Sequence, residues 1–269
     1  MKILVLGDAM GLSGRLAIKK HLSKIISENE INFTIINGEN AADDGKGITK
    51  EISDEFFSLG VDVITSGNHI WDKVETTKFI DTEHRLLRPA NLAEGSPGKG
   101  FGIFESKDKK FKIGVINLMG NVFMRKTKDV FLTAKEISKK IQLKKNVDFL
   151  VIDFHGEITS EKMAIGHFFD GKATLVVGTH THVPTNDCRI LVNGTAYQTD
   201  AGMCGDYNSV IGMNKEISLN RFLKKTTDKN FPSNGNVSLC GVIVDADDNS
   251  GLANRAESFI FSGEYNVGI

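Results

Sequence analysis

Five times along this chain a short apolar run stops at a small, polar or titratable residue. Lys2-Ile3-Leu4-Val5-Leu6 meets Gly7-Asp8, and Phe33-Thr34-Ile35-Ile36 meets Asn37-Gly38-Glu39-Asn40. Val61-Asp62-Val63-Ile64-Thr65 meets Ser66-Gly67-Asn68-His69. Phe149-Leu150-Val151-Ile152 passes through Asp153 and Phe154 to His155, and Leu175-Val176-Val177 meets Gly178-Thr179-His180-Thr181-His182. Runs this short, apolar without strict alternation, read as buried strands. Helix-compatible segments lie between them, at 13–27, 50–59, 133–143 and 159–169. In the first, Leu16, Ile18, Leu22, Ile25 and Ile26 fall near helical spacing. Thr49 is placed to cap the second and Gly60 to end it. The alternation predicts α/β layers around a largely parallel sheet.

The rest reads as richer in β structure. Segments 101–104 and 111–115 suit a hairpin, as do 189–192 and 195–199 across Asn193-Gly194. A last antiparallel pair is expected over 239–244 and 256–261. No repeat divides the chain, and 88–99 is loop-like but short for a linker. The expectation is one domain over 1–269 with two packed sheets.

Composition matters for what it removes. The 33 basic and 34 acidic side chains leave a net charge of -1, so no broad basic field recommends duplex nucleic acid as partner. No apolar run approaches the roughly 18 residues of a membrane span, and the opening run reaches Gly7-Asp8 too early for a signal peptide. Cys188, Cys204 and Cys240 are odd in number and widely spaced. They read as reduced thiols of a cytoplasmic protein, with Cys204 a small buried residue rather than a ligand.

In open α/β sheets, ligands bind beyond the carboxyl ends of the strands. If these strands share a sheet, Asp8, Glu39, Asn40, Asn68, His69, His155, His180 and His182 converge on one rim. Imidazoles, carboxylates and amide oxygens without thiolate suit Zn, Mn or Fe, not an all-oxygen calcium cage. The donors outnumber what one ion needs. One carboxylate, Glu39 or Asp8, could bridge two ions about 3.5–4 Å apart. His180 and His182 would share one face on an extended strand, or reach two adjacent ions from a loop.

With these residues in view, the chain resembles the calcineurin-like metallophosphoesterases, and more closely their YmdB-like branch. The matching blocks are Gly7-Asp8, Asn37-Gly38-Glu39-Asn40-Ala41-Ala42, Gly45-Lys46-Gly47-Ile48-Thr49 and Gly67-Asn68-His69-Ile70-Trp71-Asp72. They continue through Arg88-Pro89-Ala90-Asn91, Thr159-Ser160-Glu161-Lys162, Gly178-Thr179-His180-Thr181-His182-Val183 and Thr199-Asp200-Ala201-Gly202-Met203. The resemblance implies a four-layer αββα sandwich of two mixed sheets flanked by helices. It implies a dinuclear centre of iron or manganese, with zinc as alternative. It also implies phosphodiesterase activity on small nucleotides, 2′,3′-cyclic nucleotides foremost, through a metal-activated hydroxide. Carried over by residue, Asp8, Glu39, Asn40 and His182 would hold one ion; Glu39, Asn68, His155 and His180 would hold the other. His69 would be the acid for the leaving oxygen.

Two departures from the wider superfamily stand out. Gly7-Asp8 is followed by Ala9-Met10 where a histidine is usual, and Gly38 is followed by Glu39 where aspartate is usual. Methionine is no ligand for a hard ion, so Asn40 is expected to supply the missing donor. Asp72 either orients His69 or caps the next helix. Asn91 and Thr159 are open as substrate contacts. Residues 11–14 read as a strand-to-helix turn capped by Ser13, and Gly45-Lys46-Gly47 lacks the P-loop pattern. A homo-oligomer is compatible with all of this. The competing readings are a phosphomonoesterase or phosphoprotein phosphatase on the same metals, and a regulatory protein that binds a nucleotide or an RNA end.

Overall fold

The computed structural model describes residues 1–261; residues 262–269 of the expected domain lie outside the described residues. In chain order the elements begin β1 (Lys2–Ala9), α1 (Gly11–Glu28), β2 (Phe33–Asn37), α2 (Lys50–Ser58), β3 (Val63–Thr65) and α3 (Thr76–Phe79). They continue with β4 (Phe101–Glu105), β5 (Lys112–Met119), α4 (Val130–Lys140), β6 (Phe149–His155), α5 (Thr159–Phe169) and β7 (Leu175–Thr179). The last are β8 (Arg189–Ile190), β9 (Ala196–Gln198), β10 (Met203–Asp206), α6 (Lys215–Phe222), β11 (Val237–Ala246) and β12 (Ala253–Phe261).

The strands form two six-stranded mixed sheets, ordered β12-β11-β10-β1-β2-β3 and β4-β5-β6-β7-β9-β8. β1, β2 and β3 run parallel in the first, and β5, β6, β7 and β9 in the second. The apolar runs are continuous because each strand feeds two layers. In β1, Ile3 and Val5 join a core with Phe33, Ile35, Val63, Ile113, Val115, Phe149 and Val151, drawn from both sheets. Leu4 and Leu6 pack instead with Ile18 and Leu22 of α1 and Phe56 of α2. On the far side, Ile116, Leu150, Ile152 and Val176 meet Val130 and Ile137 of α4 and Ile165 and Phe169 of α5. Helix, sheet, sheet, helix is the four-layer αββα sandwich expected of this sequence. Among the described residues, no helix is long and apolar enough to cross a membrane.

Local signals were mostly obeyed. Thr49 accepts the Ile52 N–H at the start of α2, and α5 spans the expected residues. The Asn193-Gly194 hairpin forms between β8 and β9, and β11 and β12 pair antiparallel. Three expectations need correction. α4 begins at Val130, not 133, because Asp129 caps it through the Leu132 N–H. α1 begins at Gly11, so Ser13 lies inside the helix and donates to the Ser233 carbonyl instead of capping. Asp72 caps no helix, since α3 starts four residues later.

Candidate metal centre

Parallel strands in both sheets bring their carboxyl ends to one place. Asp8 is the penultimate residue of β1, Glu39 and Asn40 follow β2, and Asn68 and His69 follow β3. From the other sheet, His155 closes β6, and His180 and His182 follow β7. Two glycines allow the approach. A side chain on Gly7 would run into the Gly202 carbonyl, and one on Gly67 into the His155 ring.

The geometry falls into two clusters. In the first, His155 Nε2 lies 2.9 Å from Glu39 Oε1, 3.1 Å from Asn68 Oδ1 and 3.1 Å from His180 Nδ1. Glu39, His155 and His180 form a group able to hold a metal ion. In the second, His182 Nε2 lies 3.3 Å from Asn40 Oδ1 and 3.8 Å from Asp8 Oδ1. The loop reading of His180 and His182 is the one observed: both residues have positive φ, 100° and 65°, and each goes to a different cluster. Non-glycine residues in that region are strained and concentrate at functional sites.

Each imidazole has its outward nitrogen occupied. His155 Nδ1 donates to Thr179 Oγ1 (3.0 Å), whose hydroxyl donates to Asp153 Oδ1 (2.8 Å). His180 Nε2 donates to Glu157 Oε2 (3.0 Å), and His182 Nδ1 to the Ile211 carbonyl (2.8 Å). Partners of this kind fix the tautomer and turn the other nitrogen toward a metal. Asn40 is fixed likewise: its amide NH2 donates to the Gly45 carbonyl (2.9 Å), leaving Oδ1 beside His182. Met10, in the position where the superfamily usually has histidine, is buried and packs near Gly45 and Gly212.

The charges are correspondingly perturbed. Burial raises Asp8 to about 6, against the lowering influence of His182 and His155. Burial would also raise Glu39, but the charge and hydrogen bond of His155 prevail and bring it to about 2. The same pairing overrides the burial of His155 and lifts it to about 9. Burial and the His155 charge depress His180 to about 3, which keeps it a neutral imidazole.

A cation fits this set. One proton on His155 Nε2 serves only one of the three acceptors around it. Asp8 Oδ1 is buried with no hydrogen-bond partner among the described residues, and an orphaned buried carboxylate oxygen is costly. The donors are oxygen and imidazole nitrogen without thiolate, a set able to hold a divalent metal ion.

His69 stands beside the clusters. Its N–H donates to Glu39 Oε2 (2.9 Å), and its Nδ1 lies 2.7 Å from Asp72 Oδ2. Asp72 therefore orients His69, the first of its two expected roles. Asn91 is fully buried and bonded to Met119, Thr127 and Lys128, which removes it as a substrate contact. Thr159 is exposed at the start of α5.

Several supporting residues escaped sequence reasoning. Asp153 sits within an apolar strand and gathers Thr65, Thr179 and Asn37 from both sheets. An acid inside a buried run was the available signal. Lys162 and Asp200, each 1% exposed, pair at 2.6 Å. Asp200 also accepts the Thr181 N–H and the Gly202 N–H, while Lys162 donates to the Thr179 carbonyl. This pair holds the loop carrying both histidines. Cys204 is buried and its thiol is pushed well up by that burial, consistent with a packing role.

The family model for YmdB-like proteins matches residues 4–259. The chain belongs to the YmdB-like family. It is 43% identical over 265 residues to the 2′,3′-cyclic-nucleotide 2′-phosphodiesterase of Bacillus subtilis, covering 98% of each chain. A phosphatase crystal structure from Mycoplasma pneumoniae superposes with a TM-score of 0.89 at 36% identity, over 98% of this chain and 94% of that one. A hypothetical protein from Thermus thermophilus superposes with a TM-score of 0.88 at 34% identity, over 97% of this chain and 99% of that one.

Proposed function

We propose that this YmdB-like protein opens the cyclic phosphodiester of 2′,3′-cyclic nucleotides at a dinuclear metal centre between its sheets. The enzyme class, a hydrolase of phosphoric esters, rests on the family and on the relatives it matches. The cyclic-nucleotide substrate is taken from the name of the Bacillus relative. One observation carries the metal reading. Three histidines have their outward nitrogens held by acceptors, while their inward nitrogens converge with carboxylate and amide oxygens.

In this reading Asp8, Glu39, Asn40 and His182 would hold one ion. Glu39, Asn68, His155 and His180 would hold the other. Iron or manganese is favoured, with zinc as the alternative. Bound ions would neutralise the non-bridging phosphate oxygens and lower the pKa of the attacking water toward about 7. Asp72 holds the Nδ1–H of His69, so Nε2 is the nitrogen that carries the proton for the departing ribose oxygen. Water oxygen bonds to phosphorus as the bond to O2′ breaks, and a 3′-phosphate remains. That both sheets supply the site supports reading the chain as one functional unit. Three free cysteines support a cytoplasmic setting.

The test compares 2′,3′-cyclic AMP, 3′,5′-cyclic AMP and a phosphopeptide on manganese-loaded protein. Preferential turnover of the first is expected. Preference for the phosphopeptide would move the activity to protein phosphatase, and binding without turnover would point to a regulatory protein.

A further inference from the structure

Residues 120–128 form a loop that the metal centre does not need but that borders it. The loop leaves β5 at Gly120, whose N–H donates to the His155 carbonyl at 2.9 Å. Its ends are tied together by two asparagines. Asn91 donates to the Met119 carbonyl, Thr127 Oγ1 and the Lys128 carbonyl at 2.7, 3.0 and 3.2 Å, and accepts the Met119 N–H at 2.9 Å. Asn121 donates to Thr127 Oγ1 and the Lys128 carbonyl at 2.8 and 3.0 Å. Buried Glu161 accepts the Asn121 N–H at 2.9 Å. Toward the far side, Arg125 Nη2 lies 3.5 Å from Asp72 Oδ1, on the carboxylate that orients His69. The loop thus runs from a candidate ligand to the support of the candidate acid.

Phe123, within this moored loop, is 86% exposed with φ of +60°. A bulky residue rarely adopts that backbone conformation. A ring this exposed gains little from the protein's own core. Strain of this kind persists only where the surroundings impose it, and the double asparagine clamp does so here.

We propose that Phe123 is the platform on which the nucleobase of the substrate stacks while its cyclic phosphate sits at the metal centre. The proposal rests on the phosphodiesterase reading above and deepens it. Base–aromatic stacking tolerates base identity, so the platform selects for a nucleobase without choosing among bases.

The test uses Phe123→Ala and Phe123→Trp on two substrates, 2′,3′-cyclic AMP and the base-free glycerol 1,2-cyclic phosphate. Phe123→Ala is expected to raise KM for the nucleotide about tenfold, a typical loss for one stacked base, with kcat unchanged. KM for the base-free ester stays the same, and Phe123→Trp restores the nucleotide value. An unchanged nucleotide KM would overturn the proposal. So would equal losses on both substrates, or a change of oligomeric state by light scattering that accounts for the loss. Calorimetry with 3′-AMP separates the two claims. If wild type hydrolyses neither ester, the phosphodiesterase reading fails. Weaker 3′-AMP binding by Phe123→Ala would still uphold the stacking, and equal binding would reject it.

Discussion

The two sheets bring different chemistry to the site. The β1-β2-β3 side supplies oxygen: Asp8, Glu39, Asn40 and Asn68. The β6-β7 side supplies nitrogen: His155, His180 and His182. They are also steadied differently. Backbone N–H groups hold the carboxylates, with His69 donating to Glu39 and His180 to Asp8 Oδ2 at 3.2 Å. Side chains and a carbonyl hold the imidazoles from behind, through Thr179, Glu157 and Ile211. A hard cation between the two faces would have mixed ligation that neither sheet offers alone. The site therefore depends on the apolar core that sets one sheet against the other.

Breaking the oxygen side at its shared member should cost most. Glu39→Gln is expected to lower kcat about 10³-fold or more, on the scale of lost electrostatic transition-state stabilisation, and to leave fewer than two ions per chain by elemental analysis. His69→Ala removes a proton donor, and general acid catalysis typically contributes about 10²–10⁴-fold. The loss should appear on 2′,3′-cyclic AMP, shrink on a p-nitrophenyl ester with a good leaving group, and leave metal content unchanged.

Disturbing the nitrogen side from beneath tests its dependence on a buried ion pair. Lys162→Met leaves Asp200 buried without its partner, which typically costs about 3–5 kcal/mol in chemical denaturation. His180 and His182 should lose their fixed positions, with weaker metal binding in whatever protein remains folded. The smallest effect compares the two sides by pH. A metal at His155 must displace a proton held up to about 9, so manganese affinity should rise about tenfold per pH unit below that value. Below about 6, Asp8 is protonated as well, and the dependence should steepen there. Titration calorimetry in two buffers of different ionisation enthalpy would count the protons released.

The sequence carried the rim more plainly than its supports. Each candidate donor follows an apolar run, and a buried strand that ends in His155 or Asp8 announces itself locally. β10 has no local signal: Met203-Cys204-Gly205-Asp206 is four residues with no periodicity, and it forms by lying between β1 and β11. The Lys162–Asp200 pair spans 38 positions and the Asn37–Asp153 bond 116, so neither leaves a pattern in any local window. The start of α4 shifted by three residues because a single cap, Asp129, outweighed the apolar spacing behind it.

Anomalous diffraction from crystals of the manganese-loaded protein tests the central claim most directly. The account predicts two peaks about 3.5–4 Å apart, with Glu39 bridging them, His182 on one and His155 and His180 on the other. A single peak, or two peaks that do not share Glu39, would contradict it.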